Sequence, residues 1–325
     1  ACADIVPENA AAFAATFGVP DDAVFEDYAA MLDAVEPDVV SVAVPPAVHE
    51  RVVVDCARHD AVGAVHCEKP IADTWDAARR MVETAWRYDT QLTFNRQRRF
   101  AKPFTEAKRL LDEGAIGDLR RIEIGWGDFY DTGAHTVDLA GMMNDDEPPE
   151  WVLAGLDYRE EDVRFGAHQE NQMLAEWGYA NGVAALLATG ERTGLVDAAM
   201  VLRGTEGSIR VDPDDGPTLE LRQGASREAV DVDGEGIHAT GDEPDDRFGS
   251  LLHDRAVAHL GDCLESGEEP VLSGRRGLNT AEVLFGGYHS VRERGRVEFP
   301  LEPADNALEA MVETGALTPE PADEE

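Results

Sequence analysis

The chain has 325 residues, of which 43% are hydrophobic, so it is long enough for about two domains with buried cores. It carries 66 acidic and 28 basic residues, and the formal net charge of −38 opposes binding to nucleic acids and anionic membranes, because both attract clustered Lys and Arg. Its longest apolar runs, 39–48 and 183–188, are shorter than the roughly 20 residues that cross a bilayer, and its first residues lack the pattern of a secretory signal. We therefore expect a cytoplasmic protein that binds neither nucleic acid nor membrane.

Lysine is scarce in this chain: it occurs only at positions 69, 102 and 108, and Arg supplies the other positive side chains. Acidic residues spread along a chain with so few lysines resemble proteins that work in molar salt, where the Debye length is about 3 Å and self-repulsion is screened. We therefore expect halophilic behaviour. The four cysteines have no close pairing and no CxxC spacing, so neither a disulfide framework nor a metal site is predicted.

The first third of the chain alternates predicted strands and helices, which is typical of parallel strands joined by crossover helices. The run 39–44 is almost entirely apolar, as in a central parallel strand that is covered on both faces. The remaining predicted elements are strands at 1–6, 63–67 and 91–95 and helices at 7–17, 27–35, 49–59 and 74–88. These elements predict a parallel α/β domain over residues 1–99.

The pattern changes after a predicted helix at 103–113, because strand-like runs then follow one another with only turns between them. The runs are 120–128, 150–158, 171–177, 182–189, 197–203, 208–212 and 218–222, and two late helices are predicted at 248–266 and 277–294. This order predicts an α+β domain with a largely antiparallel sheet over residues 100–303. The acidic, proline-containing stretch 304–325 is predicted to be a frayed tail.

One short string, Cys67-Glu68-Lys69-Pro70, stands where a predicted parallel strand ends. Ligands of open α/β sheets bind beyond the carboxyl ends of the strands, so Lys69 is a candidate for pointing into a cleft. An isolated Glu-Lys-Pro is more often a surface turn. The scarcity of lysine in this chain favours a functional role for Lys69.

A second string runs from Asp131 to His135 at the start of an apolar stretch. If a helix begins near Thr132, the two residues lie four apart on one face, so the carboxylate can orient the imidazole. A His paired with an Asp is a suitable proton acceptor near neutral pH. The alternative is equally favoured: Asp131 or Thr132 caps the helix, and His135 is a satisfied core residue.

The third string, Val44 to His49, is a strand followed by a double-proline turn. In this order and spacing, the three strings resemble the Gfo/Idh/MocA oxidoreductase family, which includes glucose-fructose oxidoreductase and inositol dehydrogenase. Further likenesses lie at 94–100, 113–117, 204–209 and 294–297, so the resemblance covers about residues 1–300. It implies a Rossmann-like dinucleotide-binding domain over 1–99 and a substrate and oligomerisation domain over 100–303.

The resemblance also implies an activity, the oxidation of a sugar, inositol or related polyol with transfer of a hydride to NAD. Lys69 would hydrogen-bond the substrate hydroxyl, and His135 would take its proton. Asp131 would orient His135 and bind a second hydroxyl. The family further implies a homo-oligomer.

The same resemblance assigns cofactor contacts. Glu68 would bind the ribose beside the nicotinamide, and Pro45, His49 and Asn95 would line the cleft. Asp4 would accept hydrogen bonds from the adenosine ribose and would repel a 2′-phosphate, which favours NAD over NADP.

The sequence departs from the family at its beginning. Members start with a strand, a GxGxxG turn and a helix before the segment that matches Ala1, and the sequence printed here has no counterpart. We therefore expect an incomplete parallel sheet with a gap between its strands, and weak dinucleotide binding, since that turn approaches the pyrophosphate.

Three other functions stay open from the residues. One is redox-neutral glycoside cleavage, in which bound NAD oxidises a sugar hydroxyl transiently. Another is a non-catalytic sugar or nucleotide sensor, although a sensor needs no proton acceptor beside a lysine. A metal enzyme is the weakest, because no histidine spacing resembles a ligand motif.

Overall fold

The computed structural model describes residues 1–238 and 250–321, and its first part alternates short strands with helices. The strands are β1 (Cys2–Ala3), β2 (Val24–Phe25), β3 (Val39–Val42), β4 (Ala64–Cys67) and β5 (Gln91–Phe94). The helices are α1 (Pro7–Phe17), α2 (Tyr28–Val35), α3 (Pro46–Arg58) and α4 (Trp75–Arg87). All strand pairs in this part are parallel, as the predicted Rossmann-like domain requires.

These five strands form two separate sheets, β1-β2 and β3-β4-β5. The sequence-based interpretation missed β2, because a strand of two residues leaves no period-two pattern. No strand pairing joins β1 to β3 within the described residues, so the predicted gap is present there. The carboxyl ends of β4 and β5 lie side by side, with Cys67 paired to Phe94.

Local signals set the ends of the helices in this part. The carboxylate of Asp27 accepts from the backbone N–H of Ala29 at 3.0 Å and caps α2. The Thr74 hydroxyl accepts from the Ala77 N–H at 3.3 Å and caps α4. Helix α1 ends at Gly18, whose φ of 68° is a left-handed conformation that glycine adopts without strain.

The second part is built on a large mixed sheet. Its strands are β6 (Leu119–Gly125), β7 (Pro149–Asp157), β10 (Gln172–Tyr179), β11 (Ala184–Ala188), β12 (Ala198–Gly204), β13 (Ser208–Pro213), β14 (Leu219–Gln223), β15 (Ser226–Ala229) and β16 (Val297–Glu298), and a separate hairpin joins β8 (Val163–Arg164) to β9 (Ala167–His168). The order is β15-β14-β13-β12-β6-β11-β10-β7-β16, and pairing is antiparallel except between β6 and β11. The prediction of a largely antiparallel sheet is confirmed.

Helices pack against this sheet and connect it to the first part. They are α5 (Lys102–Asp112), α6 (Gly133–Met143), α7 (Ser250–Ser266), α8 (Gly274–Glu293) and α9 (Ala307–Glu313). The segment before α8 docks on β5, where the N–H of Phe94 donates to the carbonyl of Leu272 at 3.1 Å. None of the described helices is long and apolar enough to cross a membrane. The predicted start of α7 at 248 lies outside the described residues.

The frayed tail predicted for 304–325 is corrected over part of its length. Helix α9 begins after Asn306, whose side chain accepts from the N–H of Leu308 at 3.0 Å. Ala307, Leu308 and Met311 are buried, so this segment packs against the core despite the acidic residues around it. The acidic composition of this segment is the reason that the sequence-based prediction missed the apolar face of α9.

Candidate active site

The floor of the candidate site is formed where β4 and β5 end. The N–H of Asn95 donates to the carbonyl of Cys67 at 2.7 Å, and the N–H of Glu68 donates to Val42 at 2.8 Å, so the ladder continues past both strands. The side-chain amide of Asn95 then donates to the Glu68 carboxylate at 2.7 Å. This arrangement holds the next residue, Lys69, at the carboxyl edge of the sheet.

The opposite wall is the turn that enters α6. Asp128 fixes this turn, because its carboxylate accepts from the N–H groups of Asp131 at 2.7 Å and Thr132 at 2.9 Å. Asp131 is thereby directed towards β4, and the Lys69 ammonium donates a hydrogen bond to its carboxylate. The two side chains keep 23% and 17% of their surface exposed, so a ligand can reach both groups.

His135 lies in the first turn of α6 and is 4% exposed. Its Nδ1 atom is buried and has no hydrogen-bond partner among the described residues. Burial lowers the pKa of His135 well below its ordinary value, and the charges of Arg98 and Lys69 lower it further. The imidazole is therefore neutral at physiological pH, which is the state that accepts a proton.

The predicted contact between Asp131 and His135 is corrected by the structure. The Asp131 carboxylate accepts a hydrogen bond from Lys69, and no hydrogen bond between Asp131 and His135 is present among the described residues. The capping alternative is corrected in part: Thr132 is the N-cap residue of α6, but its hydroxyl makes no capping hydrogen bond and donates instead to Asp128, a residue that sequence reasoning passed over. The physical reason is that Asp131 precedes the helix, so its side chain faces β4 and meets the nearest cation.

Sequence reasoning also missed a buried ion-pair network behind the site. Asp138, one turn along α6 from His135, binds Arg96 and accepts from Arg99 Nε at 2.6 Å, and Arg99 also binds Asp146 at 2.6 Å. Burial lowers the pKa of Arg96 to about 10, so its guanidinium stays charged at neutral pH. An acidic residue inside an apolar helical stretch was the available signal, since a buried charge needs a partner.

The residues expected to bind a cofactor lie in three places. Glu68 and Asn95 are beside Lys69, and the Asn95 Oδ1 atom is a buried acceptor without a donor among the described residues. These acceptors fit a ligand that donates hydrogen bonds, such as a ribose or an amide. Asp4 lies on the other sheet, where its carboxylate accepts from the Val6 N–H at 2.8 Å.

Pro45 and His49 stand at the start of α3 and differ in exposure. Pro45 is exposed and precedes the first turn of the helix. His49 is fully buried, with Nε2 at 2.7 Å from the carbonyl of Val44 and Nδ1 at 3.2 Å from that of Ile71. Both ring nitrogens face carbonyl oxygens, and the neutral imidazole donates to one of them, so His49 lies between the turn after β3 and the loop that follows Lys69. The described residues contain no group of three or more His, Cys, Asp or Glu side chains placed to hold a metal ion.

The chain is similar to a family of oxidoreductases and to two curated dehydrogenases. Residues 1–96 match the GFO_IDH_MocA model, an oxidoreductase family with an NAD-binding Rossmann fold. D-apiose dehydrogenase from Paraburkholderia graminis is 26% identical over 98% of this chain and 87% of that protein. D-xylose 1-dehydrogenase [NADP(+)] from Haloarcula marismortui is 26% identical over 76% of this chain and 71% of that protein.

An oxidoreductase from Agrobacterium radiobacter, solved with NAD+, L-tartaric acid and magnesium, shares the fold with a TM-score of 0.74 and 22% identity over 91% of this chain and 89% of that chain. In three further curated relatives the match spans 60%, 38% and 59% of the relative's length, so the chain covers less than two thirds of each.

The first part of the chain thus matches a Rossmann-like NAD-binding domain of an oxidoreductase family, and a second, sheet-based part follows it. Over residues 1–96 the chain is similar to the Gfo/Idh/MocA family of oxidoreductases.

Proposed function

We propose that this protein is an NAD-dependent dehydrogenase that oxidises a CH–OH group of a sugar, an inositol or a related polyol. The observation that carries the proposal is a neutral, buried His135 beside the pair of Lys69 and Asp131, at the carboxyl edge of the parallel sheet. Relatives that act on D-apiose and D-xylose support the substrate class.

The three side chains divide the chemistry of alcohol oxidation. Lys69 donates a hydrogen bond to the substrate hydroxyl, and its charge stabilises the negative charge that develops on that oxygen. His135 takes the hydroxyl proton, since its low pKa keeps the imidazole neutral before the reaction. Asp131 holds the ammonium in place and accepts from a second hydroxyl. When bound, NAD would accept the hydride from the same carbon, and the product is a carbonyl compound.

Glu68 and Asn95 would hold the nicotinamide ribose, with Pro45 and His49 forming the turn beside it. Asp4 would accept from the adenosine ribose, and its negative charge would oppose a 2′-phosphate, which favours NAD over NADP. The NADP(+) in the name of one relative makes this preference a point to measure. Titration of the protein with NAD and with NADP tests this preference. Comparable affinities for the two dinucleotides would contradict the role of Asp4. The weak dinucleotide binding expected for the sequence as printed stays a prediction that the same titration tests.

The proposal is tested by NADH absorbance with a panel of sugars and polyols, using the chain as printed and a version extended with the upstream codons. We expect Lys69→Ala and His135→Ala to lose about 100-fold or more in kcat/KM. Arg87→Ala, which changes an exposed residue of α4, is the matched control. Net NADH formation separates a dehydrogenase from a redox-neutral glycoside hydrolase. Dinucleotide binding without turnover of any substrate favours the sensor.

We also propose that the protein is cytoplasmic, forms a homo-oligomer and requires salt. The net charge of −38 supports the salt requirement, because repulsion among like charges is screened at high ionic strength. Unfolding by heat between 0.1 M and 3 M KCl tests it, and an unchanged midpoint would contradict it. Analytical ultracentrifugation in the same salt tests the oligomer.

A further inference from the structure

The hairpin of β8 and β9 brings an aromatic side chain to the candidate site. Its tip is Phe165-Gly166, which connects the paired residues Arg164 and Ala167. The Nζ atom of Lys69 lies over the ring of Phe165, 5.2 Å from the ring centre. Phe165 is 56% exposed, so an apolar surface is open to solvent beside the ammonium that is proposed to bind the substrate hydroxyl.

The hairpin is tied to the rest of the molecule near its tip and at its base. Near the tip, a guanidinium nitrogen of Arg164 lies 3.6 Å from the carboxylate of Asp128, the residue that fixes the turn before α6. At the base, the N–H of His168 donates to the carboxylate of Glu309 in α9 at 2.6 Å. These contacts join the hairpin to the turn before α6 and to α9, so its tip is held at the site.

The turn itself does not explain why its first residue is aromatic. Phe165 and Gly166 have φ angles of 54° and 82°, and both lie in the left-handed region. A two-residue hairpin loop with positive φ at both positions favours Asn-Gly, because few residues other than Gly, Asn and Asp adopt this conformation readily. A bulky residue is therefore strained at position 165, and residues held in such conformations cluster where ligands bind.

We propose that Phe165 determines substrate specificity: its ring packs against a C–H face of the substrate while Lys69 binds the hydroxyl, so cyclic sugars and cyclitols are preferred over open-chain polyols. This inference rests on the proposed function and names the substrate class of the same site. Contact between the phenyl ring and C–H groups removes apolar surface of both from water.

The preference for a ring has a physical reason. A pyranose or a cyclitol holds several C–H groups on one rigid face, whereas an open chain loses conformational entropy when it is ordered against the phenyl ring. The ring centre of Phe165 and the Nζ atom of Lys69 are 5.2 Å apart, so one sugar-sized molecule can contact both groups.

The test compares polyols that differ in ring closure: myo-inositol and 1,5-anhydro-D-glucitol are cyclic, and D-glucitol is an open chain. NADH formation by the full chain in fixed KCl gives kcat and KM for each compound. We expect the wild type to prefer the two cyclic compounds. Phe165→Asn should raise their KM about tenfold with little change in kcat, since burial of roughly 50 Å² of apolar surface corresponds to about tenfold in affinity.

Two further variants control for the fold and for the loss of an exposed aromatic side chain. Asn is favoured at the first position of this turn, so Phe165→Asn removes the ring without disturbing the hairpin. Phe165→Tyr retains the ring face and should keep the KM of the wild type. Trp86→Ala removes an aromatic side chain that is 86% exposed on α4, and it should leave KM unchanged for all three compounds.

The outcomes distinguish failure of this inference from failure of the proposed function. An equal loss of kcat for cyclic and open-chain compounds in Phe165→Asn, with a shifted pH profile, would make Phe165 a positioning residue for Lys69 and overturn the role in specificity. A wild-type preference for D-glucitol also overturns it and leaves the dehydrogenase intact.

A binding measurement needs no turnover. In isothermal titration calorimetry, weaker binding of the cyclic compounds alone in Phe165→Asn supports the inference even if no NADH forms. Equal binding of these compounds by the variant and the wild type, or no binding of them by the wild type, overturns it.

Discussion

Two ion-pair clusters flank His135 along the chain, the front pair of Lys69 and Asp131 and the rear cluster of Asp138, Arg96 and Arg99, and they differ in their access to water. Behind it, Asp138 is 1% exposed, and its partners Arg96 and Arg99 are 0% and 5% exposed. In front of it, Lys69 and Asp131 form a single pair with both side chains partly open to the cleft. The rear cluster is closed to ligands and stabilises the fold, whereas the front pair can exchange its hydrogen bonds with a substrate.

The rear cluster connects three parts of the chain. Arg96 follows β5, Asp138 belongs to α6, and Arg96 also donates to the carbonyl of Ser273 at 3.0 Å, just before α8. His135 is on the same helix as Asp138, so this cluster sets where the imidazole lies relative to the parallel sheet. We therefore expect variants of the rear cluster to change stability first and variants of the front pair to change activity first.

The largest effect is expected for Asp138→Asn. The change leaves two buried guanidinium groups with an uncharged partner, and breaking a buried ion pair on one side costs about 3–5 kcal/mol in the free energy of unfolding. Urea unfolding at fixed KCl measures it. Asp118→Asn is the matched control, because its exposed pair with Arg120 should change stability by less than about 0.5 kcal/mol. Equal effects of the two variants would show that the rear cluster contributes no more than a surface pair.

A second buried carboxylate, Glu170, makes the rear of the site sensitive to pH. It accepts from the Phe129 N–H at 2.8 Å and from the Tyr288 hydroxyl at 2.6 Å. Burial raises the pKa of Glu170 from 4.5 to about 7, and these two donors only partly offset it. Between those pH values Glu170 keeps a proton in the folded chain that it has lost in the unfolded chain. Its contribution to the free energy of unfolding is therefore fully present below pH 4.5 and is lost as the pH rises to 7.

Glu170→Gln should remove this slope. We expect the stability of the variant relative to the wild type to rise by up to about 3 kcal/mol between pH 5 and pH 8, since each pKa unit corresponds to about 1.4 kcal/mol. Urea unfolding of both proteins across this range measures the difference, in which the titration of the other acidic residues cancels. A constant difference from pH 5 to pH 8 would mean that Glu170 titrates normally.

Asp131→Asn makes in the front pair the same chemical change that Asp138→Asn makes in the rear cluster. Its pair with Lys69 is partly exposed, so we expect the free energy of unfolding to change by less than about 1 kcal/mol. Loss of a hydrogen bond to a charged group should lower kcat/KM by about 10- to 100-fold. The two variants are compared by urea unfolding and initial rates in the same buffer. A loss of stability equal to that of Asp138→Asn would end the distinction between the two clusters.

The secondary structure of the first part could be predicted from local features of the sequence. The helix at 7–17 and the strands around 39–42, 64–67 and 91–94 follow from apolar runs and from Pro or Gly at their ends. Lys69 was placed at a strand end because the motif and the strand are adjacent in sequence. Periodicity and turn residues are local signals, so most of the longer elements were found, whereas the two-residue strand β2, the edge strand β15 and helix α9 were missed.

Contacts between distant residues could not be read in this way. Asp131 meets Lys69, which is 62 residues earlier, and Asp138 meets Arg96, which is 42 residues earlier. Which cation reaches which carboxylate depends on how α6 is oriented over β4 and β5, and no spacing along the chain encodes that orientation. The predicted pair of Asp131 and His135 failed for this reason, because it considered only neighbours on one helix.

The smallest effect is expected for Tyr130→Phe, which tests how the front pair is positioned. The Tyr130 hydroxyl donates to the carbonyl of Ala72 at 2.6 Å, so it ties the turn that carries Asp131 to the loop that follows Lys69. Removing one buried hydrogen bond should lower the free energy of unfolding by about 1 kcal/mol. If this bond sets the distance between Lys69 and Asp131, kcat falls by several-fold while Tyr158→Phe, which loses hydroxyl contacts with Asp162 and His168, leaves kcat unchanged. A loss of stability without any change in kcat would instead place Tyr130 with the rear cluster, as a residue that stabilises the fold and leaves the chemistry to the front pair.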